Sequence, residues 1–186
     1  MQTDLLKAKA VLEEGGIILF PSDRGWCLGC DAANPKAIKR IHGLFPETDI
    51  FKMQVLLETD ARMEQYAENV PEVAWELLQV SDKPLTLIIP GAKNLAENLL
   101  YADGSVAFRI ANDNFSRNLI QRFKRPMALY TPKINHKAIV LFDEIPAEWS
   151  DAVDYVVKNS QPGRNQSGTS SVIKLGVSGE IQILKK

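Results

Sequence analysis

Four consecutive residues, Ser22-Asp23-Arg24-Gly25, follow the apolar run Ile17-Ile18-Leu19-Phe20-Pro21 and set a hydroxyl, a carboxylate and a guanidinium at the end of a buried strand. Strand ends are common ligand positions in open sheets, so this turn suits an amino acid or a nucleotide. The same residues also suit a plain turn, with Ser22 and Asp23 satisfying the backbone and Gly25 supplying the dihedral. Arg109 lies inside Val106-Ala107-Phe108-Arg109-Ile110. An arginine among apolar residues is costly unless it is paired or faces a cleft, where it would neutralise a carboxylate or phosphate. Ser170-Ser171-Val172-Ile173 places hydroxyls at a strand start, after the Asn-, Gln-, Ser- and Gly-rich stretch 159–170, which reads as a mobile loop.

Cys27-Leu28-Gly29-Cys30 has the C-x-x-C form. In an extended run of period two, its sulfurs face opposite sides of a sheet, so a disulfide would need distorted backbone. Zinc would need two further ligands, and His42 and His136 lie without finger spacing, so no metal site is expected. Between Asp113 and Asp143 no acidic residue occurs, while Arg117, Arg122, Lys124, Arg125, Lys133 and Lys137 do. Arg117 and Lys124 share a helix face with Gln121, and with Arg125 and Lys133 they are candidates for contact with RNA; a solvated basic face is the other reading. Walker, G-x-G-x-x-G, H-E-x-x-H and nucleophile-elbow patterns are missing.

These groups need a sheet to hold them. Apolar runs predict strands at Ile17–Phe20, Trp26–Cys30, Val55–Leu57, Leu85–Ile89, Val106–Ile110, Met127–Tyr130, Tyr155–Val157, Ser171–Leu175 and Ile181–Leu184. Helical spacing predicts a first helix capped by Thr3 and ended by Gly15-Gly16, and a second capped by Asn34 and entered at Pro35. A helical stretch from Asp60 to Val80, broken at Pro71, and an amphipathic helix capped by Asn114 follow. Strands interleaved with helices, with no shift of composition, predict one α/β domain over residues 1–186.

The 186 residues are 45% apolar and carry 22 basic against 23 acidic side chains, a formal charge of -1. That balance excludes coating nucleic acid through overall charge, though not a local basic face. No apolar run reaches membrane-spanning length. The polar start Met1-Gln2-Thr3-Asp4 does not read as a secretion signal, and two cysteines suit a reducing compartment, so a cytoplasmic setting is expected.

In order along the chain, four stretches resemble the YrdC/YciO family, closest to its YciO branch. Gly15 to Cys30 is similar to the signature GG-hydrophobic-PTD-x-x-Y-x-LG, and Lys83-Pro84-Leu85-Thr86-Leu87-Ile88-Ile89 to a G-P-x-T-hydrophobic strand. Val106 to Ile110 resembles V-x-x-R-hydrophobic, and Ser170-Ser171-Val172-Ile173 resembles S-T-V-hydrophobic. The resemblance implies a YrdC/RibB-like fold: a mixed, twisted sheet of about seven strands with flanking helices and a basic concave pocket. It implies substrate or nucleotide binding by Ser22, Arg109, Thr131, Ser170 and Lys185, with ATP or AMP as ligand, magnesium accompanying ATP, and double-stranded RNA or tRNA as partner. Where family members that make threonylcarbamoyl-adenylate carry a K-x-R pair, this chain reads Leu44-Phe45-Pro46-Glu47; where they carry S-x-A-N, it reads Tyr130-Thr131-Pro132-Lys133. Cations of that kind neutralise charge in phosphoryl transfer. The expectation is therefore a nucleotide- or RNA-binding protein without the full synthase activity. The alternative is an active L-threonylcarbamoyladenylate synthase-type nucleotidyltransferase of tRNA modification, with Lys52 or Lys133 as replacement cation.

Overall fold

The computed structural model describes residues 2–45, 53–134, 137–158 and 170–185. Pro46, Glu47, Lys52, His136 and the stretch 159–169, all singled out above, lie outside the described residues.

Helix α1 runs Gln2–Glu13. Thr3 lies inside it rather than at its cap, because the helix already begins at Gln2. Gly15, at φ 80°, closes it in a conformation that glycine adopts without strain. Strands β1, Ile18–Ser22, and β2, Gly25–Asp31, form a hairpin with Ser22 opposite Gly25, so Asp23 and Arg24 alone make the loop. The strand expected over Ile17–Phe20 thus runs on through Pro21 to Ser22. The neighbouring strand on that side pairs only with Ile18 and Leu19, so no bond is lost at Pro21.

Helix α2, Pro35–Leu44, is capped as read: the Asn34 side chain accepts from the amides of Lys36 and Ala37. Strand β3 is Gln54–Leu57. The expected helix over 60–80 is a 3-10 turn, Asp60–Gln65, followed by α3, Glu72–Val80, since Pro71 has no amide to continue a ladder. Strands β4, Leu85–Ile89, and β5, Val106–Ile110, precede α4, Asn114–Phe123. The cap of α4 is Asp113 rather than Asn114: its carboxylate accepts from Ser116 N at 2.7 Å. Strand β6 is Met127–Tyr130, and the short pair β7, Lys133–Ile134, and β8, Lys137–Ala138, stands apart. Helix α5, Ala147–Ala152, and strands β9, Tyr155–Val156, β10, Ser171–Leu175, and β11, Ile181–Lys185, end the chain.

Nine strands join in one mixed sheet of order β11-β10-β4-β5-β3-β6-β2-β1-β9. This is the α/β architecture expected, with two strands more than the resemblance implied and the same nine that the apolar runs mark. Alternation assigns the faces. Leu19, Leu28, Val55, Leu57, Leu87 and Phe108 pack on one side with α2 and α3. Ile18, Phe20, Cys27, Leu56, Met127 and Leu129 pack on the other with Leu5, Leu12, Phe115 and Leu119 of α1 and α4. Burying each such large side chain contributes about 1.5–3 kcal/mol. Among the described residues no helix is long and apolar enough to cross a membrane.

Candidate functional site

Residues directly opposite in a ladder point to the same face. Leu56 stands opposite Arg109, and Arg109 opposite Thr86. Arg109 and Thr86 therefore lie on the α1/α4 face, where Phe20 also places Ser22, two residues further along β1, and where Thr131, just past β6, meets Cys27. Strands β1, β4 and β5, with the residue just past β6, thus carry polar side chains to one face of an otherwise apolar sheet.

The β1–β2 turn organises them. Ser22 Oγ donates to Gly25 O at 3.1 Å, accepts from Arg24 N at 3.1 Å and meets Cys27 Sγ at 3.0 Å. Cys27 Sγ also meets Thr131 Oγ1 at 3.3 Å. Gly25 has φ 112°, and a Cβ there would lie 2.4 Å from Ile139 O, so this position requires glycine. Asp113 reaches back from the start of α4 to accept from Asp23 N at 3.3 Å, tying helix to turn. On the far side, Arg24 Nη1 donates to Ser170 Oγ at 3.2 Å, and Ser170 Oγ lies 3.2 Å from Thr86 Oγ1.

Arg109 is 1% exposed, and its Nη2 donates to Asp23 Oδ2. The choice between internal ion pair and cleft is thus answered partly by the pair. Yet Arg109 Nε and Nη1 are also buried and find no acceptor among the described residues. A guanidinium has five donors, and leaving buried ones unmet is costly. Burial pushes the Asp23 carboxyl up, opposed by Arg109 and reinforced by the charge of Asp113. Arg24 is pushed down, first by burial and then by Arg109 beside it.

Contacts thus gather Ser22, Arg109, Thr131 and Ser170 into one cluster with Asp23, Arg24 and Thr86. Thr86 is a member that the reading of the sequence missed, although a polar residue in a wholly buried strand is a visible signal. Lys185 lies on the outermost strand opposite Val172, which stands opposite Thr86. It is therefore in the same row but roughly 10 Å from Thr86, by the usual strand spacing, and exposed.

The candidates for RNA contact lie elsewhere. Arg117 donates to Ala111 O at 3.1 Å and borders a cleft of about 230 Å³ with Lys83, Pro84, Leu85, Ile110 and Asn112, whose two strand residues face the opposite side from Arg109. Arg125 pairs with Asp31 at 2.9 Å and lies over the Phe123 ring, so part of its charge is already matched. Lys124 is the left-handed residue that ends α4, and Lys133 is exposed on β7. The cysteines lie on opposite faces as expected, both free and buried. Burial raises both thiols above the ordinary range, so neither has the low pKa of a redox thiol. Among the described residues no group of three His, Cys, Asp or Glu is placed to hold a metal.

The fold and this cluster define a class: a broad mixed sheet with a guanidinium buried in it that is incompletely bonded among the described residues. The chain belongs to the Sua5/YciO/YrdC family, whose model, described as telomere recombination, matches residues 10–186. A threonylcarbamoyl-AMP synthase of Pseudoalteromonas translucida is 22% identical over 184 residues, 97% of either chain. The Homo sapiens threonylcarbamoyl-AMP synthase is 27% identical over 190 residues, 98% of this chain and 67% of its own. The structure of E. coli YciO superposes with a TM-score of 0.79 at 20% identity, covering this whole chain and 90% of that one. Sua5 of P. abyssi, solved with L-threonine, superposes with a TM-score of 0.80 at 22% identity over 92% of this chain, which spans only half of that longer protein.

Proposed function

We propose that the cluster is the substrate pocket of a threonylcarbamoyl-AMP synthase-type nucleotidyltransferase, which joins threonine, bicarbonate and ATP with release of pyrophosphate and water. The observation that carries this is Arg109: a fully buried guanidinium with, among the described residues, one carboxylate partner and two unmet donor atoms, in the same row as Thr86, which meets Ser170. A ligand carboxylate would complete those donors, and charge-assisted bonds of this kind are the strong ones. The names of the relatives over nearly the whole chain favour an enzyme over the pure binder that the altered cation positions suggested. Ser22 would hold the turn rather than the ligand, since its hydroxyl is already spent on Gly25, Arg24 and Cys27. Magnesium would enter with the phosphates of ATP, because the described side chains offer no metal cluster. A cytoplasmic setting accords with two free, buried thiols.

A second reading keeps the pocket but not the turnover: a nucleotide- or RNA-binding protein. It is favoured by Leu44, Phe45, Pro46 and Glu47 where the adenylate-forming pattern has two cations, and by Lys133 in place of an asparagine. Calorimetric titration with ATP and L-threonine, followed by pyrophosphate release with bicarbonate present, separates the two. Threonine-dependent pyrophosphate release, lost in Arg109→Gln, is the expected result. Binding without release leaves the second reading, and no binding of ATP, of L-threonine or of a short RNA duplex titrated alongside them overturns both.

A further inference from the structure

Arg24 is the charged residue of the β1–β2 turn to which the function just proposed assigns no task. Its side chain spans from the turn to Ser170, and through that hydroxyl to Thr86, which stands opposite Arg109 in the ladder. Two guanidiniums are therefore brought to one hydroxyl-lined spot, close enough for Arg109 to depress Arg24. Two carboxylates are nearby, and neither bonds the Arg24 side chain. Asp23 is engaged by Arg109, while the oxygens of Asp113 accept from the amides of Ser116 and Asp23. Like charges held together in a half-buried place repel, unless an anion between them offsets the repulsion. Independently, Nε and Nη1 of Arg109 are buried and find no acceptor among the described residues, so this guanidinium has bonds left to give.

We propose that Arg24 is a second oxyanion anchor of the pocket, so that its ligand carries two anionic groups, one held by Arg109 and one by Arg24. This rests on the pocket described above and narrows its substrate class. The planar fork of arginine receives carboxylate and phosphate oxygens alike. The second oxyanion is accordingly either the side-chain carboxylate of an acidic amino acid or a phosphate of the nucleotide.

The test is calorimetric titration of the wild-type protein, Arg24→Gln and Arg24→Lys with L-threonine, L-aspartate, adenosine and ATP at one salt concentration. Thermal unfolding confirms that each variant folds. In Arg24→Gln the affinity for L-aspartate or for ATP should fall about tenfold or more, as for loss of a charge-assisted bond, while L-threonine and adenosine stay within about twofold. A fall confined to L-aspartate assigns a carboxylate; one confined to ATP assigns a phosphate. Arg24→Lys keeps the charge but not the fork, and should weaken the same ligand by about threefold or more. Should Arg24→Gln not fold, the lysine variant decides alone, and unchanged affinities in it overturn the assignment. Equal losses for all four ligands, or none, also overturn the role of Arg24 while leaving the pocket standing. A wild-type protein that binds none of the four overturns the pocket reading as well.

Discussion

If Arg109 is held for a ligand rather than for the fold, its removal and the removal of its partner should have unequal effects on stability. Asp23→Ala strips the carboxylate from a guanidinium that is 1% exposed and has two donors unmet among the described residues. Breaking a buried pair from one side costs about 3–5 kcal/mol, because the remaining charge cannot be hydrated. In a domain of this size each kcal/mol lowers Tm by about 2–4 °C, so a fall of roughly 6–20 °C is expected. Arg109→Met removes the buried charge together with its unmet donors and leaves Asp23, 17% exposed, in reach of water. An unsatisfied buried donor costs about 1–3 kcal/mol, so losing two such atoms should offset the lost ion pair and leave stability within about 1 kcal/mol of wild type. Urea unfolding of both variants, read by tryptophan fluorescence, gives the comparison. If Arg109→Met loses as much stability as Asp23→Ala, the arginine is an ordinary structural ion and the case for a ligand fails.

Three further outcomes are expected. Gly25→Ala should destabilise the protein by about 2 kcal/mol or more and blunt ligand binding, because its φ of 112° and the 2.4 Å approach to Ile139 O leave no room for a side chain; wild-type stability in urea would contradict this. Native protein should react with a thiol reagent at pH 8 only after denaturation, since burial raises both Cys27 and Cys30; rapid labelling of the folded form would contradict it. Asp103, held down to about 2 by Lys174 and Ser105, binds its proton more weakly folded than unfolded. Its contribution is therefore complete above about pH 4 and lost as pH falls towards 2, and it is small because the pair is solvent-exposed. Acid unfolding of Asp103→Asn should show a correspondingly shallower slope in that window.

Much of the frame was legible from apolar periodicity. All nine strands of the sheet lie where short apolar runs fall between Gly, Pro and polar turns, and the opposed faces of Cys27 and Cys30 follow from the period of two. Caps were less legible. Asn34 and Asn114 look alike in sequence, but Asp113 precedes Asn114 and also serves the β1–β2 turn, a partnership 90 residues apart that no local pattern displays. The pairing of Arg109 was invisible for the same reason: an arginine in an apolar strand announces a partner without saying which. Asp23 could be named only once the register of β5 against β4 and β3 had brought the turn beside it. Thr86 shows the reverse case, a polar residue whose burial became meaningful only when Ser170 was found 3.2 Å away.

The hairpin loop between β1 and β2 holds only Asp23 and Arg24, and neither takes part in a ladder pair. Exchange at position 24 therefore leaves every strand alignment intact, while altering the charge offered at the mouth of the sheet. Selection can retune what such a scaffold accepts through one codon, without renegotiating how the chain folds.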